Sequence, residues 1–238
     1  TLATCFGVGY FIGKALGLNW KMSNLISAGT GICGGSAIAA IAPVIDATDV
    51  DVAYGMSATF LFDMAMIVLF PILGRWLGLS DAAYGLWAGT AVNDTSSVVA
   101  AGYAFSEQAG DFATMVKLTR TLAIIPITLA LGCLVSRREQ GAEHNVSIKS
   151  IVPSFILYFV LASLITTLAI SVGVAAEVFA PLKWLSKFFI VMAMAAVGLN
   201  TNIVKLVTTS SKPLGLGLGC WAGITLVSLL LQHLLNLW

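Results

Sequence analysis

Residues 22–45 contain no charged side chain, residues 151–176 contain none, and in residues 213–238 only His233 is ionisable. A helix needs about 20 apolar residues to cross roughly 30 Å of hydrocarbon, and each of these runs supplies them. Three more runs carry isolated charges: 52–74 with Asp63, 82–106 with Asp94, and 112–136 with Lys117 and Arg120. Together with 2–17 and 184–206, the pattern predicts eight membrane helices, h1 to h8 in chain order. A soluble fold could not hide so apolar a chain: of its 238 residues 58% are hydrophobic and 10% charged, with a mean hydropathy of +0.96. A net charge of +1 excludes a basic nucleic-acid binder.

The fold class expected is an all-α membrane protein, with eight transmembrane helices present of about ten, in inverted five-helix repeats. Residues 75–238 (h4–h8) form a complete five-helix repeat. Residues 1–74 (h1–h3) match its last three members in inverted orientation, as an N-terminally incomplete first repeat in the same membrane domain. The chain begins inside an apolar run, in keeping with two helices missing from the front. Cys5, Cys33, Cys133 and Cys220 are scattered, with no C-x-x-C or Cys/His cluster, so neither a metal site nor a disulfide framework is expected.

Pro153, Pro181 and Pro213 lie near helix starts and Pro43 and Pro71 near helix ends, while Pro126 falls mid-span and predicts a kink. Gly9/Gly13/Gly17 and Gly215/Gly219/Gly223 repeat every fourth residue, a pattern for close helix crossings. Loop basic residues set orientation. Lys14, Lys21, Arg75, Arg137, Arg138, Lys149, Lys205 and Lys212 group on one face under this parsing, against Lys183 and Lys187 on the other. The basic face is expected in the cytoplasm, with Asp46, Asp49 and Asp51 outside. Those three acids read as a helix N-terminus rather than a calcium loop, since the calcium ligand pattern is absent.

Two spans contain polar, glycine-rich interruptions. In h2 the run is Gly29-Thr30-Gly31-Ile32-Cys33-Gly34-Gly35-Ser36; in h7 it is Gly198-Leu199-Asn200-Thr201-Asn202. A glycine-lined crossing explains either run alone. Their pairing in oppositely directed spans points to two crossing discontinuous helices, the device by which transporters present free backbone groups at the midplane.

Asp63, Asp94 and Arg120 lie ~18 Å, ~20 Å and ~13 Å beyond Asp51, Asp81 and Asp111 along their helices, all in the middle third of a bilayer. Such charges are costly and face a cavity or a partner. Lys117 is shallower and shares a face with Arg120. Asn93-Asp94-Thr95-Ser96-Ser97 is too polar for a lipid-facing helix; an interhelical hydrogen-bond cluster or an Asp94–Arg120 ion pair is the structural alternative to a functional role.

The glycine motif with Pro43, Gly85-Leu-Trp-Ala-Gly89, Asn93-Asp94-Thr95 with Val98-Val99-Ala100-Ala101-Gly102, Val116-Lys117-Leu118-Thr119-Arg120, and Ala196-Val197-Gly198-Leu199-Asn200-Thr201 resemble the motifs of the YeiH-type sulfate exporter family of bacterial membrane proteins. The resemblance runs along nearly the whole chain. It implies about ten helices and an architecture similar to bile-acid symporters and sodium/proton antiporters. Two departures stand out: Asn93 and Ser96-Ser97 occur where the family more often has His and Ala-Gln, and Gly35 where it usually has Asn.

The leading expectation is a secondary transporter, an exporter of a small anion such as sulfate or sulfite, coupled to protons in the bacterial inner (plasma) membrane. Gly34, Gly35, Ser36, Thr95, Ser96, Arg120, Asn200 and Thr201 are the expected substrate contacts. Asp94 and Asp63 are the expected coupling groups, with Cys33, Asn93 and Lys117 as further candidates. In this expectation Asp94 pairs with Arg120 in the empty state. The alternative is a cation/proton antiporter on the same fold. No enzyme motif occurs, and no catalytic residue, cofactor or metal is expected. The partners expected are the anion, the bilayer and, as an option, a second copy of the chain, but no nucleic acid.

Overall fold

The computed structural model describes residues 1–138, 154–182, 211–238 and scattered positions between 184 and 192. Among the described residues all regular structure is helical, and three stretches are long and apolar enough to cross a membrane: Asp49–Trp76, Glu107–Val135 and Ser211–Leu234.

Helix α1 (Leu2–Ala15) packs against α2 (Trp20–Ala28), which Asn19 caps by accepting from the Lys21 N–H at 3.1 Å. Ser27 rests on Gly9 and Ser23 on Gly13, so the two helices run antiparallel. Beyond Ala28 the helix widens into a π-turn, Gly29–Cys33, closed by the Gly34 N–H on the Gly29 carbonyl, and stops at Gly34 with φ +66° and ψ −136°. That conformation is open to glycine alone. The chain then turns back through α3 (Gly35–Ile41), and the arms close at their base: Lys21 Nζ donates to the Asp46 carbonyl at 2.5 Å and pairs with its carboxylate at 3.5 Å.

Helix α4 (Asp49–Trp76) starts from a capping box. Thr48 Oγ1 accepts from the Asp51 N–H, and the Asp51 carboxylate accepts from the Thr48 N–H. The acids at 46–51 thus mark a helix start, as expected. Twenty-eight residues at 1.5 Å each give a span of about 42 Å. Gly55, near its start, touches Leu25 and Ile38 of the first hairpin. Gly74, near its end, takes Tyr84 and Phe105 of α5 (Asp81–Ala91) and α6 (Thr95–Phe105).

Helices α5 and α6 form a second hairpin. Tyr84 stacks on Phe105 at 3.9 Å, its hydroxyl donates to the Ala101 carbonyl, and Ser106 Oγ donates to Asp81 Oδ1 at 2.6 Å. The two hairpins lie beside opposite halves of α4 and so enter from opposite faces. The arms are α2 with nine residues extended by its five-residue π-turn, α3 with seven, and α5 and α6 with 11 each, so each reaches only about half a bilayer.

Helix α7 (Glu107–Thr121) returns along α5, with Gly85 on Ala109 and Gly89 on Ala113 and Val116. After a break at Leu122–Ala123 just before Pro126, α8 (Ile124–Arg138) continues to the first hairpin, where Ile124, Leu131 and Val135 pack with Ile38 and Ile41. The kink expected from Pro126 is there. Helix α9 (Ser154–Ser171) exposes Leu161, Leu164, Ile165 and Leu168. Helix α10 (Ser211–Leu234) runs antiparallel to α1, its Gly219 and Gly223 against Ile12 and Val8, so these two, like Gly9 and Gly13, lie at close crossings. Gly17 does not, but turns the chain after α1 with φ +65° and open space around it.

The structure thus corrects the sequence reading at h2 and h4. Each was expected to be a single span, and each is a hairpin that leaves on the face where it began. Arg75 consequently lies on the face opposite Lys14 and Lys21, while Asp46, Asp49 and Asp51 join the lysine face. The interruption expected in h7, and with it the superposition of h1–h3 on h6–h8, lies outside the described residues.

Candidate functional site at the hairpin tips

The first half of each hairpin ends in carbonyls that its own helix cannot satisfy, and these carry the negative end of the half-helix dipole. Two cations on α7, one turn apart, answer this need. Lys117 Nζ donates to the Ile32 carbonyl at 2.7 Å and the Val92 carbonyl at 3.0 Å. Arg120 donates to the Thr30 carbonyl at 3.0 Å through one terminal nitrogen and to the Thr90 carbonyl through the other. Each cation therefore holds one carbonyl of each tip. Lys117 is fully buried and Arg120 is 9% exposed.

The two tips are related in sequence. Ala28-Gly29-Thr30, then Ile32 and Ser36, recur as Ala88-Gly89-Thr90, then Val92 and Ser96, sixty positions on. The residues whose carbonyls meet the cations, 30 with 90 and 32 with 92, are equivalent under this repeat. The tips also touch: a Cβ on Gly34 would stand 3.0 Å from Asp94 Cβ, so the approach requires glycine there.

Asp94 caps α6. Its Oδ2 accepts from the Ser96 N–H at 2.9 Å and from the Ser96 hydroxyl, and its own N–H donates to Asp63 Oδ1 at 3.1 Å. The expected Asp94–Arg120 ion pair is not formed, because Arg120 directs its terminal nitrogens to carbonyls. Asp63, mid-way along α4, is fully buried, with Oδ2 unpartnered; both side-chain atoms of buried Asn93 and Arg120 Nε are likewise unpartnered.

Of the expected substrate contacts, Gly34, Gly35, Ser36, Thr95, Ser96 and Arg120 gather at this junction, Gly34 buried, Gly35, Thr95 and Ser96 half-buried and Ser36 exposed. Asn200 and Thr201 lie outside the described residues. Cys33 ends the π-turn, buried near Lys117. The groups that side-chain reasoning missed are the carbonyls of Thr30, Ile32, Thr90 and Val92. The repeated Ala-Gly-Thr was their signal.

The chain matches the family model described as Conserved hypothetical protein 698 over residues 1–217. It is 54% identical over 244 residues to a UPF0324 membrane protein of Streptococcus pyogenes serotype M18, covering 100% of this chain and 72% of the relative. A UPF0324 membrane protein of Clostridium tetani is 47% identical over 249 residues, covering 99% of this chain and 71% of the relative. No solved structure matches the chain. With tips built for the interior of a bilayer and relatives named as membrane proteins, the chain belongs to the Conserved hypothetical protein 698 family of UPF0324 membrane proteins.

Proposed function

We propose that the protein is a secondary transporter of a small anion in the bacterial cytoplasmic membrane, with sulfate or sulfite the candidates that the sequence resemblance implies. The observation that carries this reading is the sharing of two buried cations between two re-entrant tips. Lys117 and Arg120 offset the negative carbonyl ends of both half-helices, which would otherwise repel an anion at the junction. On the accessible side of the tips stand the backbone N–H groups of Gly35, Ser36 and Thr95 and the hydroxyls of Ser36 and Thr95, neutral donors able to replace part of an oxoanion's hydration shell, while Ser96 is engaged by Asp94. The substrate passes without covalent change. Asp94 is engaged as a helix cap, so the coupling role falls to Asp63.

A cation/proton antiporter is the second reading, favoured by the unpartnered carboxylate oxygen of Asp63. Liposomes holding the full-length protein, offered labelled sulfate, sulfite and other small anions with and without proton or sodium gradients, separate the two. Saturable anion uptake that falls to background in Arg120→Ala is expected. Gradient-driven cation flux with no anion dependence would replace the anion reading by antiport.

A further inference from the structure

Among the described residues, seven buried side-chain atoms have no hydrogen-bond partner, and three of them belong to Asp63 and Asn93. Asp63 Oδ2 and the whole side-chain amide of Asn93 lack partners, although both residues are 0% exposed. The backbone joins them: Asp63 Oδ1 accepts from the N–H of Asp94, the residue after Asn93. Buried polar atoms are rarely left unpartnered, and two such side chains on adjoining backbone point to a missing ligand.

The donor set identifies its chemistry. A carboxylate oxygen and an amide oxygen are hard ligands, suited to an alkali or alkaline-earth ion rather than a soft metal. Asn93 sits where the helix is interrupted between Ala91 and Thr95; the bonding ladder of α6 starts at the Asp94 carbonyl, which accepts from Val98, so the Asn93 carbonyl precedes it. Unwound backbone of this kind supplies further oxygens to sodium in discontinuous helices. The charges facing Asp63 are Asp94 from the second tip and Lys117 from α7. One carboxylate with an unpartnered oxygen and a nearby ammonium suit a single positive charge, and calcium demands six to eight oxygens.

We infer that Asp63 Oδ2, Asn93 Oδ1 and the backbone at the tip of the second hairpin form a binding site for one sodium ion. The site deepens the transport reading by naming the coupling ion, yet its chemistry stands without any anion. Bound there, sodium joins the middle of α4 to the second tip, the same tip that Lys117 and Arg120 hold from the other side.

The test is thermal unfolding of full-length protein in detergent, titrated with sodium chloride at constant ionic strength against potassium and choline chloride. Sodium is expected to raise the melting temperature along a saturable curve that the other cations do not reproduce. Asp63→Asn is expected to abolish this rise. Asn93→Ala should weaken the apparent sodium affinity by roughly tenfold or more, whereas Asn93→Asp, which keeps the oxygen, should retain it. Equal curves in sodium and potassium, a sodium response that survives Asp63→Asn, or loss of the response in Asn93→Asp would each overturn the site. So would an equal stabilisation produced by acid without sodium, which makes a proton the occupant. Sulfate binding measured with and without sodium keeps the readings apart: sodium binding with no sulfate binding in either buffer defeats the transport of anions and leaves this site intact.

Discussion

Gly34 and Lys117 decide whether the two tips can meet. Gly34→Ala places a Cβ in a backbone conformation reserved for glycine and against Asp94, so a loss of about 1–3 kcal/mol is expected, read as a lower melting temperature. Lys117→Met removes a buried charge but bares the Ile32 and Val92 carbonyls, at about 1–3 kcal/mol each, so destabilisation is expected to prevail. The tip should loosen with it. Cys33, buried beside Lys117, is expected to become reactive to a small maleimide in that variant, in a background where exposed Cys133 is Ser. Unchanged protection of Cys33 would show that Lys117 does not hold the tip. Asp63, Asp94 and Arg120 could be picked out from sequence because a charge inside an apolar run is conspicuous. Their partners could not, because every residue carries a carbonyl and only the fold says which are left bare.

At the scale of elements, residues 20–46 and 81–106 are where sequence and structure part. Two half-helices joined at a polar tip have the same hydropathy and summed length as one membrane span, so windows of apolarity cannot tell them apart. The polar run 93–97 and the π-turn glycines showed that something was interrupted; they did not show that the chain reverses there. Single cysteines at Lys21, Asp46, Asp81 and Ser106 provide the check. With a membrane-impermeant maleimide on oriented vesicles, Lys21→Cys and Asp46→Cys are expected to label from one face, and Asp81→Cys and Ser106→Cys from the other. Labelling of Lys21→Cys and Asp46→Cys from opposite faces would restore straight spans. The helix start at the acids 46–51, the kink near Pro126 and the crossings at Gly9, Gly13, Gly219 and Gly223 were legible, because each rests on local chemistry.

For the whole molecule, the hairpins sort the charges anew. Lys14, Lys21, Arg137, Arg138 and Lys212 lie on the face where the first hairpin begins, and Arg75 on the other. The basic face is expected in the cytoplasm, so the cysteine at position 46 should be protected from external reagent in intact cells. The sharing of one lysine and one arginine between both tips has a consequence for permeation. Neither hairpin can withdraw toward its own face without stripping partners from its own carbonyls. A pore open to both sides at once would bare four of them, at Thr30, Ile32, Thr90 and Val92, each at about 1–3 kcal/mol. Under the transport reading proposed above, the seal against leak is a property of the shared cations.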